Sequence, residues 1–115
     1  MKLQAWTQVP SEQMNADLNR KVIHGQNVTI ARLELRKGGM VAEHSHINEQ
    51  VSMVQTGAIK FVSNGREHIV RAGECLTIPP NVPHRVDVLE DSVVVDVFSP
   101  AREDWIRGDD AYLRK

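Results

Sequence analysis

The chain has 115 residues, and its 14 Lys and Arg against 15 Asp and Glu give a formal net charge of −1. That length suits one domain, spanning residues 1–115, around one hydrophobic core, and the balanced charge without a basic run speaks against nucleic acid as a partner. A single cysteine, Cys75, excludes an intrachain disulfide. No stretch approaches the roughly twenty apolar residues of a membrane span, and the opening MKLQAWTQVP lacks an apolar core of signal-peptide length, so the expectation is a soluble cytoplasmic protein.

The first twenty residues carry no clear period. Pro10-Ser11 offers a helical turn before Met14, Asn15, Asp17 and Asn19 argue against a long helix, and Trp6 is expected to anchor this arm. From Val28 to Lys37, VTIARLELRK alternates, with Ala31, Leu33 and Leu35 on one face and Arg32, Glu34 and Arg36 on the other. QVSMVQTG and AIKFVS follow as strands, and Asn64-Gly65 is a two-residue hairpin turn, because both central residues tolerate positive φ. REHIVRAG returns from that turn. ECLTIPPNVPH is a short strand that meets three prolines, with Cys75 expected to pack as a small hydrophobe. HRVDVL and SVVVDVFSP are strands joined across Glu90-Asp91. Ser99-Pro100 has the form of a helix N-cap followed by proline at the first helical position, opening a short helix through AREDWI with Trp105 or Ile106 packing back. About eight to ten short strands and little helix define an all-β sandwich or barrel.

One stretch, AEHSHINEQV, concentrates donor side chains. On a strand, His44 and His46 share a face, about 7 Å apart at the backbone, a spacing from which two imidazoles converge on a metal. Two nitrogens do not make a firm site. Gln50 has the same parity and a carbonyl oxygen to offer, Glu49 is the competing choice, and His84 follows the rigid PPNVP segment. His24 and His68 lack such company. Imidazole accepts several metals, so the cofactor is one divalent transition ion, zinc, nickel, manganese or iron. Further on, Val94, Asp96 and Phe98 share one face of SVVVDVFS, and Asp96 interrupts an apolar run. An unpaired carboxylate there costs several kcal/mol, so Asp96 needs either an ion-pair partner, Arg102 or Arg32, or a chemical task as a proton-transfer group.

The spacing of Gly38, His44, His46, Gln50 and Gly57 looks like the first cupin motif, and that of Gly73, Pro79, Asn81 and His84 like the second. Over residues 38 to 88 the chain thus resembles the cupins, which implies a single cupin β-barrel (a double-stranded β-helix, or jelly roll) with the short C-terminal helix appended. It departs from the common pattern in Gln50 for glutamate, Asn81 for glycine and Val88 for asparagine. A neutral amide leaves three neutral imidazoles around an ion of undiminished charge, which suits a Lewis acid acting on an anion better than an oxygen-activating site of two histidines and one carboxylate. The stretches RKVIHGQNVTIARLELRKGG, HSHINEQ and VDVFSPAREDW are similar to the small KdgF-type cupins of pectin degradation, in which a glutamine at this place is normal. That resemblance implies His44, His46, Gln50 and His84 as metal ligands, Asp96 and Arg102 as catalytic residues, and Phe98 and Arg102 against the substrate. It implies ring-opening or ketonisation of 4,5-unsaturated uronates from pectin or alginate, a small anionic sugar acid as partner, and a homodimer. The face of Val93, Val95 and Val97 would meet either a second sheet or a second subunit. A metal-dependent oxygenase of a small diketone or phenol, and a non-catalytic small-molecule-binding cupin, are the competing readings.

Overall fold

Alternating sequence produces strands wherever one face finds a core. In a computed structural model describing all 115 residues, there are ten: β1 Glu12–Asn15, β2 Leu18–His24, β3 Thr29–Leu35, β4 Met40–His44, β5 Glu49–Thr56, β6 Ala58–Ser63, β7 Arg66–Arg71, β8 Cys75–Ile78, β9 His84–Val88 and β10 Ser92–Ser99. One short helix, α1 Glu103–Ile106, and 3-10 turns at Trp6–Gln8 and Ala111–Leu113 complete the chain. Six strands form one sheet in the order β1-β2-β3-β10-β5-β8 and four form another in the order β4-β9-β6-β7. Every pairing is antiparallel. The two sheets face each other without closing through hydrogen bonds, so the expected barrel is an open one, a jelly roll of two wrapped sheets.

The register of β10 settles which residues enter the space between the sheets. It pairs with β3 and β5, bringing Asp96 opposite Ala31 on one side and Ser52 on the other. Ala31, Leu33, Leu35, Val94, Asp96 and Phe98 are buried between the sheets. Arg32 and Glu34 lie on the outer face, joined at 2.8 Å, so neither faces the interior. The second sheet therefore meets the Asp96 face of β10, and Val93, Val95 and Val97 are half-buried on the opposite one.

Asn64 and Gly65 both have positive φ, 51° and 75°, as the hairpin between β6 and β7 demands. Gly57 has φ of 85°, and a Cβ there would overlap Ser92 Oγ and the Asp91 carbonyl. Residues 11–19 are not a helical turn: the Asn15 side chain accepts the Asp17 N–H at 2.8 Å, making a tight turn between β1 and β2. Trp6 is half-buried, and its carbonyl accepts from Lys21 Nζ at 2.8 Å. Ser99 does not cap a helix. It ends β10, and α1 begins after Arg102, because the Arg102 N–H is held by Thr29 Oγ1 at 2.8 Å. Trp105 packs back and Ile106 is exposed. Cys75 is exposed rather than packed, since alternation on the edge strand β8 turns Leu76 and Ile78 inward and leaves Cys75 outside. No helix is long and apolar enough to cross a membrane.

Candidate metal centre

Three segments deliver the histidines. His44 ends β4 and is the register partner of His84, which starts β9. His46 lies beyond the strand, in the loop before β5, so its convergence comes from the loop's bend and not from strand alternation. That loop is tied to the second motif: the Asn81 N–H donates to the His46 carbonyl at 2.7 Å. Asn81 has φ of 63°, the left-handed conformation that asparagine, next to glycine, adopts most readily, which explains how it replaces the glycine of the common motif. The ring centroids are 4.3 Å apart for His44 and His84, 5.2 Å for His46 and His84, and 5.8 Å for His44 and His46. One ligand atom from each ring lies within 4.8 Å of the other two.

Each imidazole is oriented by its own backbone. Nδ1 of His44 lies 2.8 Å from the Ala42 carbonyl, Nδ1 of His46 3.0 Å from that of Asn48, and Nδ1 of His84 2.8 Å from that of Val82. A nitrogen facing a carbonyl oxygen must carry the proton, so in the neutral ring Nε2 is left with a bare lone pair. Nε2 of His84 is buried without any partner. Burial depresses the pKa of His44 and of His46 to about 4, and it lowers that of His84 as well, so the rings are neutral near pH 7. Three neutral imidazoles with their free nitrogens converging fit a divalent metal ion.

Gln50, the second residue of β5, points inward, and Glu49 beside it is exposed. Gln50 Oε1 stands 3.0 Å from His46 Nε2, and its Nε2 donates to Ser52 Oγ at 2.9 Å. Asp96 lies in the same interior. Its Oδ1 is buried and unpartnered, and no ion pair to Arg32 or Arg102 forms. Burial raises its pKa to about 6 against the opposing pull of the Ser52 hydroxyl, the Arg102 charge and the Gln50 amide. Phe98 is packed edge-on to His46, with centroids 5.6 Å apart. Arg102 is buried with its guanidinium over the rings of Phe98 and Trp105, at 4.7 and 4.2 Å. Its two-pronged edge is already engaged: Nε and Nη2 donate to the Asp104 carboxylate at 2.9 and 2.8 Å.

A cavity of about 40 Å³ is lined among others by His44, Gln50, His84, Asp96, Phe98 and Arg102. The structure thus gathers His44, His46, His84, Gln50 and Asp96 and seats Phe98 and Arg102 beside them. Sequence reasoning missed Asn48, whose carbonyl orients His46 and whose Nδ2 donates to the Pro100 carbonyl at 2.6 Å. It also missed Asp104 and Tyr112, which contact Arg102. Nothing in the local pattern marks Asn48 or Tyr112, although Asp104, two residues from Arg102, is a readable ion-pair spacing.

The pectin degradation protein KdgF of Dickeya dadantii (strain 3937) is 29% identical over 102 residues, covering 86% of this chain and 93% of that protein. A crystal structure of an RmlC-like cupin from Shewanella frigidimarina superposes with a TM-score of 0.84 at 26% identity, over 91% of this chain and 96% of the other. KdgF from Halomonas sp. superposes with a TM-score of 0.83 at 23% identity, over 90% of this chain and 99% of that one. The cupin domain family Cupin_2 matches residues 31–98: the chain belongs to that family.

Proposed function

We propose that this cupin opens and ketonises 4,5-unsaturated uronates of the kind released from pectin or alginate. The observation that carries the reading is Asp96: a buried carboxyl with an unpartnered oxygen, pKa about 6, in the cavity that the His44 and His84 rings line. A carboxyl so poised near neutral pH both takes and gives a proton. The likeness to the pectin degradation protein over 86% of the chain supports this substrate class.

The reaction is an isomerisation and needs no oxidant. The C1 hydroxyl of the ring loses its proton, the bond from C1 to the ring oxygen breaks, the former enol oxygen becomes a ketone at C5, and C4 gains a proton. One carboxylate can serve both transfers, and Asp96 is assigned that task. Bound by His44, His46, His84 and Gln50, a divalent ion would supply Lewis acidity toward the oxygens of the acid. Phe98 offers an apolar wall to the ring. Arg102 contributes its charge through the part of the guanidinium that Asp104 does not hold. The outer face of β10, with Val93, Val95 and Val97, is assigned to a homodimer contact. Loss of the ultraviolet absorbance of unsaturated galacturonate, with the linear keto acid identified by NMR under anaerobic conditions, tests the reading. A requirement for oxygen, or no conversion by metal-loaded protein, would refute it.

A further inference from the structure

Small-molecule sites commonly offer about 300–1,000 Å³. The cavity beside His44 and His84 is about 40 Å³, room for a few waters and too small by itself for a six-carbon acid, while a separate pocket of about 240 Å³ adjoins His46, Asn48 and Asp104. Tyr112 and Leu113 of the chain's own C-terminal segment form part of the wall of the smaller cavity. The Tyr112 ring lies 4.5 Å from that of His44, tilted by 30°. Its hydroxyl oxygen accepts from Arg102 Nη2 at 2.8 Å and from Trp105 Nε1 at 3.1 Å. The segment is held by Asp110 to buried Arg20 at 2.8 Å, Arg114 to Asp110 and Glu12 at 3.1 and 3.8 Å, Asn15 Nδ2 to the Leu113 and Lys115 carbonyls at 3.0 and 3.1 Å, and the Leu113 side chain in the core.

We propose that Asp110–Leu113 is a self-inhibitory plug and that Tyr112 is a specificity-determining residue, holding the Arg102 donor that an acid's carboxylate takes on entry. The inference rests on the sugar-acid reading of the pocket. A phenol oxygen is a neutral acceptor, whereas a carboxylate makes a charge-assisted bond to guanidinium about twice as strong. An acid therefore displaces Tyr112, and a neutral sugar of the same shape does not. The 3-10 turn at Ala111–Leu113 spans three residues and belongs to neither sheet, so its displacement breaks no strand pairing and is opposed by the Asp110–Arg20 ion pair and the burial of Leu113. While it is seated, apparent affinity is reduced by the fraction of molecules that are open.

The test compares metal-loaded wild type with Tyr112→Phe, which keeps the ring and removes the acceptor. Calorimetric titration with D-galacturonate, a saturated acid that cannot react, is expected to show roughly 3- to 10-fold tighter binding by the variant. Amide-exchange protection of residues 110–115 should fall by a similar factor in the unliganded variant. Equal or weaker galacturonate affinity, with binding present in both proteins, would overturn the plug. If neither protein binds galacturonate, the sugar-acid reading fails, and exchange alone decides the plug: unchanged protection overturns it.

Discussion

His46 Nε2 and Gln50 Oε1 face each other at 3.0 Å. The proton of His46 is committed to the Asn48 carbonyl, so both atoms present lone pairs, an arrangement that a shared cation relieves. Turning the amide over would instead direct its NH₂ at His46 and remove Gln50 from the ligand set. Calorimetric titration with zinc or nickel separates the two. As a ligand, Gln50→Ala should weaken binding about 10- to 100-fold, as loss of a supporting partner does, and Gln50→Glu should tighten it by adding charge.

Acid should act late on the centre. His44 and His46 are depressed by burial to about 4, below their ordinary value of about 6.5. A base with a lowered folded pKa contributes stability that is present above about 6.5 and is lost as pH falls toward 4. Metal-free protein should therefore melt progressively lower across that window, and metal should still bind at pH 5.5. Release near pH 6.5, as for exposed imidazoles, would count against this centre.

Asp96 shifts the other way. Its folded pKa is raised to about 6, so its contribution is fully present below about 4 and is lost as pH rises through 6. The penalty above pH 7 is on the order of 3 kcal/mol. In chelator-treated protein, Asp96→Asn should raise Tm at pH 8 and raise it much less at pH 4.5. An equal change at both pH values would mean that Asp96 is not buried as a strained acid.

Alternation made the strands legible, because apolar and polar residues fall on opposite faces, whereas β10 is apolar on both faces and its inward set follows only from its register with β3 and β5. The cluster of donors at residues 44–50 and the rigid approach to His84 were legible for a similar reason: few structural roles call for them together. What alternation could not supply was position after a strand ends. His46 sits in a loop, the helix start is displaced by a hydrogen bond from residue 102 to residue 29, and Tyr112 reaches the site from a C-terminal turn. Each depends on tertiary contacts across many residues. Cys75 is exposed because an apolar run on an edge strand still has a solvent side.

The outer face of the six-stranded sheet makes a separate prediction. Val95 stands between Arg32 and Met53 across the strands, half-buried without a second layer. If this face joins two subunits, Val95→Glu should convert a dimer to a monomer by light scattering while leaving the fold, read by circular dichroism, intact. A wild-type monomer at tens of micromolar would end the dimer assignment.

The most direct measurement is turnover of unsaturated galacturonate by Asp96→Asn, with metal content determined on the same sample. Proton transfer by Asp96 predicts retained metal and a fall in kcat of about 100-fold or more. Unchanged kcat with full metal occupancy would contradict the assignment and return Asp96 to a structural role.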